Sequence, residues 1–184
     1  MNARELVKLD ADLSAQLRLP PGQHRLWQGM VFLAHSGDSW FWLAGLFLVW
    51  LIFWDSVWHT RAALMAAGVV ALAVAVLAIK FLVRRQRPPG EWGAIYRNTD
   101  PHSFPSGHAA RAFLLAVVAL GIGPLWFGLL LVFWAPLVSI ARVATGVHYL
   151  SDVVAGMLIG ILGGWLTLLA RPLLFSLFPF VFGV

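Results

Sequence analysis

Long apolar stretches separated by short polar breaks divide this chain into helices. Leu6, Leu9, Leu13 and Leu17 recur at helical spacing with Lys8, Asp10, Asp12 and Arg18 between them, which predicts an amphipathic helix over 5–19. It is too short and too charged to span a bilayer, so it is expected to lie on the interface. Pro20-Pro21-Gly22 ends it. A second short helix is predicted over 24–36, stopped by Ser36-Gly37-Asp38. At about 1.5 Å per residue it cannot cross a ~30 Å hydrocarbon core. Residues 1–37 thus read as interfacial N-terminal helices, with a sixth span only if the second of them inserts.

Five apolar segments follow, at about 39–54, 62–80, 106–120, 125–142 and 152–170. Trp40, Trp42, Trp54 and Trp58 bracket the first in an aromatic-belt pattern. The second is rich in alanine, which lets neighbouring helices approach, and runs into Lys80. The uncharged run from 112 to 141 is too long for one span, and Gly121-Ile122-Gly123-Pro124 is a turn signal near its middle. It therefore divides into a hairpin of two helices. The fifth segment carries Gly156, Gly160 and Gly164 on one face, expected to pack inside the monomer, and is expected to end at Arg171-Pro172. The Phe-rich tail to Val184 is expected at the interface.

Composition fixes the class. The chain is 60% hydrophobic and 11% charged, against about 25% charged in soluble domains. The fold class is all-α integral membrane, one domain over 1–184, a bundle of about five spans. A sequence pI near 10.8 raises nucleic acid as a partner, but several basic residues sit in or beside apolar segments, so the partner expected is the bilayer. Cysteine is absent, which excludes disulfides, thiol nucleophiles and Cys metal sites. The first 25 residues mix acids and bases without an apolar core, so no cleavable signal peptide is expected.

Against this background three polar clusters stand out: Lys80-x6-Arg87-Pro88, Pro105-Ser106-Gly107-His108, and Arg142-x5-His148-x3-Asp152. Ionisable residues at the edges of apolar segments are costly and mark function. With the hairpin at 121–124, the second span ends, the third starts, the fourth ends and the fifth starts on one membrane face. All three clusters then meet there. A single helix over 106–142 would have separated them.

Lys80, Arg87 and Arg142 supply three cations, and a guanidinium fork matches phosphate oxygens. Ser106 and Gly107 sit where a loop becomes a helix, where free N–H groups favour an anion. His148 and Asp152 are spaced i, i+4; one helix would put them on the same side, and a carboxylate on one ring nitrogen leaves the other free to attack. Two His, one Asp and three cations suffice for phosphoryl transfer through a phosphohistidine, and no metal or other cofactor is expected. Arg97, His102 and Arg111 are further candidates; Arg111 could reach a head group or anchor the helix end. Arg84 and Arg85 read as interfacial charges.

In order and spacing, the three clusters resemble the signature motifs of type 2 phosphatidic acid phosphatases, integral membrane lipid phosphatases similar in their core to vanadium haloperoxidases. The resemblance covers the 73 residues from Lys80 to Asp152. It implies that His148 is the nucleophile, Asp152 its orienting partner and His108 the acid for the leaving oxygen. It implies that Lys80, Arg87, Ser106, Gly107 and Arg142 hold the phosphoryl group. Ala141 departs from the family's frequent Ser before the Arg, losing a hydroxyl but no charge. The short N-terminus departs too, since many members have six spans.

The expected activity is a metal-independent lipid phosphatase acting on a polyprenyl diphosphate, phosphatidate or phosphatidylglycerol phosphate. The alternative is a lipid-phosphate binder or transporter that keeps the pocket without turnover; the spans weigh against a soluble haloperoxidase. The expected location is the cell (inner) membrane with the site facing the periplasm or exterior. The positive-inside rule points the other way, because Arg4, Lys8, Arg18, Arg25, Arg84, Arg85 and Arg97 share the active face while the opposite one has mainly Arg61 and Arg171.

Overall fold

The computed structural model describes residues 2–20, 24–90 and 100–183, and every regular element among them is a helix. In chain order these are α1 (Ala3–Gln16), α2 (His24–Ser36), α3 (Ser39–Ile52), α4 (Val57–Val83), α5 (Gly107–Ile122), α6 (Leu125–Ala144), α7 (Leu150–Leu177) and α8 (Pro179–Phe182). The all-α bundle expected from the sequence is what forms. α4, α6 and α7, with 27, 20 and 28 residues, are long and apolar enough to cross a membrane; α3 and α5 are shorter apolar helices.

Local sequence sets the boundaries. The Asn2 side chain accepts from Glu5 N at 2.9 Å while Glu5 Oε2 accepts from Asn2 N at 2.8 Å, a capping box that starts α1. Ser56 Oγ accepts from Trp58 N at 3.3 Å and starts α4 five residues ahead of the predicted span. Arg84, in the left-handed region at φ 51°, ends it. α7 runs through Pro172 to Leu177 rather than stopping at Arg171-Pro172. A proline removes one helical hydrogen bond, and Leu174 and Phe175 beyond it still pack on the core.

α5 is the central helix. Ala110, Leu114, Leu115, Val118 and Ala119 are buried between α4, α6 and α7, so its 16 residues need not match the bilayer thickness. α7 lies close against it because of the glycine stripe. A Cβ at Gly160 would stand 2.1 Å from Ala110 O, and one at Gly156 would stand 2.5 Å from Ser106 O. Alanine at either position would force the two helices apart, so the stripe is spent inside the chain.

The C-terminal tail packs against the bundle. Phe182 is buried, Trp50 Nε1 donates to Val181 O at 2.8 Å, and Thr60 Oγ1 donates to Phe182 O at 2.6 Å. α8 closes the end of the bundle where α3 turns into α4. The other end gathers the C-termini of α4 and α6, the N-termini of α5 and α7, and the corner between α2 and α3.

Candidate active site

The turn from α6 to α7 positions the nucleophile candidate. Arg142, buried in the last turn of α6, accepts through its backbone oxygen from His148 N at 3.3 Å. His148 precedes α7 instead of lying within it; Tyr149 caps that helix and Asp152 sits in its first turn. The i, i+4 pair therefore spans a helix start, yet His148 Nδ1 stands 3.5 Å from Asp152 Oδ2. On its other side, His148 Nε2 is 3.3 Å from Arg87 Nη1. An arginine only donates, so this contact puts the lone pair on Nε2 and the proton on Nδ1, toward the carboxylate. Burial pushes the His148 imidazole well down, to about 3; Asp152 opposes this, and Arg142 and Arg87 add to it. The ring is therefore neutral at ordinary pH.

Asp152 is fully buried and heavily bonded. Its Oδ2 accepts from Tyr149 N at 2.9 Å, and its Oδ1 accepts from Arg85 Nη1 at 2.7 Å. Arg85 is thus no interfacial charge. It stacks over the Tyr149 ring at 4.0 Å and gives Nη2 to Asp10 Oδ2 at 2.6 Å. Asp10, on α1, also accepts from Ser151 N at 3.0 Å and Ser151 Oγ at 2.5 Å. Ser14 Oγ accepts from Leu150 N at 2.8 Å. The polar edge of α1 therefore satisfies the orphan amides that start α7. Burial works against the Arg85 charge, but Asp10 and Asp152 outweigh it and hold the guanidinium above its ordinary range.

The cations of the first cluster are directed by the loop that follows residue 99. Lys80 Nζ donates to Asp100 Oδ2 at 2.5 Å and to His102 O at 2.8 Å. Arg87 donates to Asp100 O at 2.7 Å, to Asp100 Oδ2 at 2.8 Å and to Val147 O at 2.9 Å. An isolated bridge between Gln86 and His102 and a bond from Ser103 N to Arg85 O at 2.8 Å fasten this loop beside Arg87. Asp100 was not among the residues singled out in the sequence; its carboxylate pairs with both Lys80 and Arg87.

Ser106 and Gly107 begin α5. The Ser106 amide is not open to an anion, because it donates to Asp152 O at 2.9 Å; its hydroxyl is buried with no partner among the described residues. Gly107 lines the cavity and so does His108, whose Nε2 meets Asp38 Oδ1 at 2.7 Å. Arg111 is an anchor. It donates to Gly37 O from Nε at 2.8 Å and from Nη2 at 2.5 Å, and to Ser39 Oγ. Arg97 lies outside the described residues.

These groups share a cavity of about 250 Å³. Lys80, Asp100, His108, Arg111 and His148 line its polar end, and Phe81, Leu77, Val76, Leu72 and Val69 of α4 form its wall. The structure thus brings Lys80, Gly107, His108 and His148 to one space, with Arg87 at His148 Nε2, Asp152 3.5 Å from its Nδ1, and Arg142 adjoining it through the 142–148 turn. Such an arrangement can hold a phosphoryl group on cations, present one neutral imidazole to it and a second imidazole near the leaving oxygen.

Residues 61–175 match the family described as the PAP2 superfamily. The undecaprenyl-diphosphatase of Sulfolobus acidocaldarius is 32% identical over 145 residues, which cover 77% of this chain and 67% of that protein. The decaprenylphosphoryl-5-phosphoribose phosphatase of Mycobacterium tuberculosis is 42% identical over 98 residues, and the chain spans about half of its length, 52%. Among solved structures, the transmembrane PAP2-type phosphatidylglycerolphosphate phosphatase of Bacillus subtilis superposes with a TM-score of 0.73 at 23% identity, covering 90% of this chain and 86% of that one.

Proposed function

Because this chain belongs to the PAP2 superfamily, we propose that it is a multi-pass membrane lipid phosphatase that removes the terminal phosphate of a polyprenyl diphosphate through a phosphohistidine on His148. The observation that carries this reading is the continuity of the cavity. Its polar end holds two imidazoles and the Lys80 ammonium, and its wall is one apolar face of α4 from Phe81 down to Val69. The twelve steps from Val69 to Phe81, at about 1.5 Å each, give a wall roughly 18 Å long, which suits a phosphate carried on a lipid chain rather than a soluble ester. The names of the polyprenyl-acting relatives support that tail.

In this reading His148 Nε2 attacks phosphorus as the bond to the leaving oxygen breaks. His108 gives that oxygen a proton. Asp152 holds the proton on His148 Nδ1 and stabilises the ring as it becomes positive. Lys80, Arg87, Arg142, Gly107 N and the Ser106 hydroxyl take the phosphoryl oxygens, where charge builds in the transition state. Water then attacks the phosphohistidine, passes its proton to His108 and releases phosphate, which restores both rings. The oxygens of the substrate replace the Asp100 carboxylate on Lys80 and Arg87.

The test is phosphate release by the purified chain in detergent, with polyprenyl diphosphate, phosphatidate and phosphatidylglycerol phosphate compared, before and after EDTA. Turnover that survives EDTA fits a site built on cations and imidazoles. Loss on chelation with recovery on adding a metal contradicts it, and binding without turnover establishes a lipid-phosphate binder instead. In this reading the site faces the outside of the cell membrane. Arg85 is paired with Asp10 and Asp152 and Arg18 donates to Pro89 O, so these two weigh less in the positive-inside balance. A cysteine in place of Thr99, challenged with an impermeant thiol reagent on intact cells, checks this: labelling supports the outer face and protection reverses it.

A further inference from the structure

The corner between α2 and α3 is built around one carboxylate that does not cap the helix it precedes. Asp38 occupies the N-cap position of α3, where aspartate ordinarily accepts from the helix's own amides, but its side chain makes no capping bond. It turns the other way. Oδ1 meets His108 Nε2 at 2.7 Å, and Oδ2 meets His35 Nδ1 at 3.1 Å and Trp40 Nε1 at 3.3 Å. The capping energy available to α3 is given up for a contact seventy residues away in the chain.

The surrounding residues hold the corner in that pose. Arg111, one turn beyond His108 on α5, grips Gly37 O and Ser39 Oγ on either side of Asp38. Trp42 Nε1 donates to Ser36 O, and Trp134 Nε1 on α6 donates to Ser36 Oγ, both at 2.9 Å. Residue 37 must be glycine for this to work: a Cβ there would stand 2.9 Å from Val138 Cγ1 and 3.3 Å from His108 Cδ2. Burial tends to raise the Asp38 carboxyl, but the bonds from His108 and His35 prevail and hold it well below the usual carboxylate range. It is an anion at ordinary pH.

We infer that Asp38 is the positioning residue of His108, a second carboxylate–imidazole pair opposite the one formed by Asp152 and His148. This rests on the reading of His108 as the acid. The carboxylate accepts Nε2–H, so the ring is fixed in rotation and Nδ1 is the nitrogen left for the pocket. It also sets a negative charge against the ring while His108 is protonated, opposing burial and the charges of Arg142 on α6 and Arg111 on its own helix. When the bond from phosphorus to the leaving oxygen breaks, the electron pair stays on oxygen and the Nδ1 proton joins it. Imidazole is left neutral, still donating Nε2–H to Asp38. His35, on the outer side of the carboxylate and 46% exposed, shares the anion without entering the pocket.

The experiment compares phosphatidate, with a poor alkyl leaving group, and p-nitrophenyl phosphate, with a good one. An acid matters for the first and little for the second. Asp38→Asn should lower turnover of phosphatidate by about 10- to 100-fold, the usual cost of losing the outer partner of a functional histidine, and leave p-nitrophenyl phosphate within about threefold. In a His108→Ala background the same change should cost less than about twofold on either substrate, since its partner is gone. Asp38→Ser guards against misfolding. A serine can cap α3 where the native carboxylate does not, so this variant should melt no lower than wild type and still show the selective loss. Equal losses on both substrates, or a full effect of Asp38→Asn without His108, would overturn the inference while leaving the acid role intact. Should His108→Ala itself slow both substrates equally, the acid role falls and the positioning role with it.

Discussion

Replacing Asp152 with asparagine removes one charge and almost no volume, and the surroundings make that change expensive. In the native protein Oδ1 faces the Arg85 guanidinium at 2.7 Å, while Oδ2 faces Tyr149 N at 2.9 Å and His148 Nδ1 at 3.5 Å. Both sides present donors. An amide has one oxygen, so whichever way it is turned, its NH2 meets N–H on one side, and no water reaches a residue at 0% exposure. A lost hydrogen bond to a charged group costs about 1.5–3 kcal/mol. For a chain of this length that is a fall in melting temperature of roughly 4–10 °C. The guanidinium is the more demanding partner and claims the oxygen. The NH2 then faces His148 Nδ1 and drives the proton toward Nε2, the nitrogen proposed to attack, where it also meets the Arg87 donor. The corresponding change in a serine protease triad costs about 10⁴ in rate, and a loss on the order of 10² to 10⁴ is expected here, because Lys80, Arg87 and Arg142 still bind phosphate. The assay is phosphate release alongside vanadate binding by thermal shift, on a variant that elutes as a monodisperse species. kcat should collapse while vanadate affinity stays within a few fold. Turnover within about threefold of wild type would make Asp152 only an anchor for Arg85 and Tyr149, and would refute the tautomer argument.

Two further outcomes follow from the same network. Asp10→Ala removes the acceptor shared by Arg85, Ser151 N and Ser151 Oγ; stability should fall by about 1–3 kcal/mol and turnover by roughly tenfold, as read by melting and phosphate release, and an unchanged rate would show that α1 is not coupled to Asp152. The His148 shift carries a pH signature: its folded value, lowered to about 3 from an ordinary 6.5, means that the unfolded chain binds the proton first. That stabilisation is fully present above about pH 6.5 and is lost as pH falls toward 3, at up to about 1.4 kcal/mol per pH unit. Melting curves of wild type and His148→Gln should converge on acidification, and parallel acid slopes would contradict a buried neutral ring.

What the sequence revealed and concealed follows from how far apart partners lie. The three clusters were legible because Lys80 with Arg87, Ser106 with His108, and His148 with Asp152 are each within one loop or one helix start, and because the Gly123-Pro124 break fixes which face they share. The roles of Asp10, Arg85 and Asp38 were not legible. Arg85 meets Asp152 across 67 positions, and Asp38 meets His108 across 70, contacts that only the bundle creates. One signal was available. Ser36-Gly37-Asp38 was read as a helix stop, yet the same parity that joins the clusters puts this break on their face, where an acid beside His35 invites a functional reading. Arg111 shows the converse: its charge at the site edge leaves a head-group ligand and a helix-end anchor both open, and its fork is filled by Gly37 O and Ser39 Oγ. Helix ends were blurred for a simpler reason, since the apolar signal continues across Pro172 and the short capped start at Ser56 is a local hydrogen bond rather than a change in hydropathy.

The central claim is that phosphorus passes through His148. Rapid quench of the purified chain with a 32P-labelled lipid diphosphate, carrying label on the terminal phosphate, tests it directly. The account predicts a phosphoprotein that is labile to acid and stable to base, mapped to His148 and absent from His148→Ala. It should form more slowly in His108→Ala than in wild type. A turning-over enzyme with no such species, or label on any other residue, would contradict it.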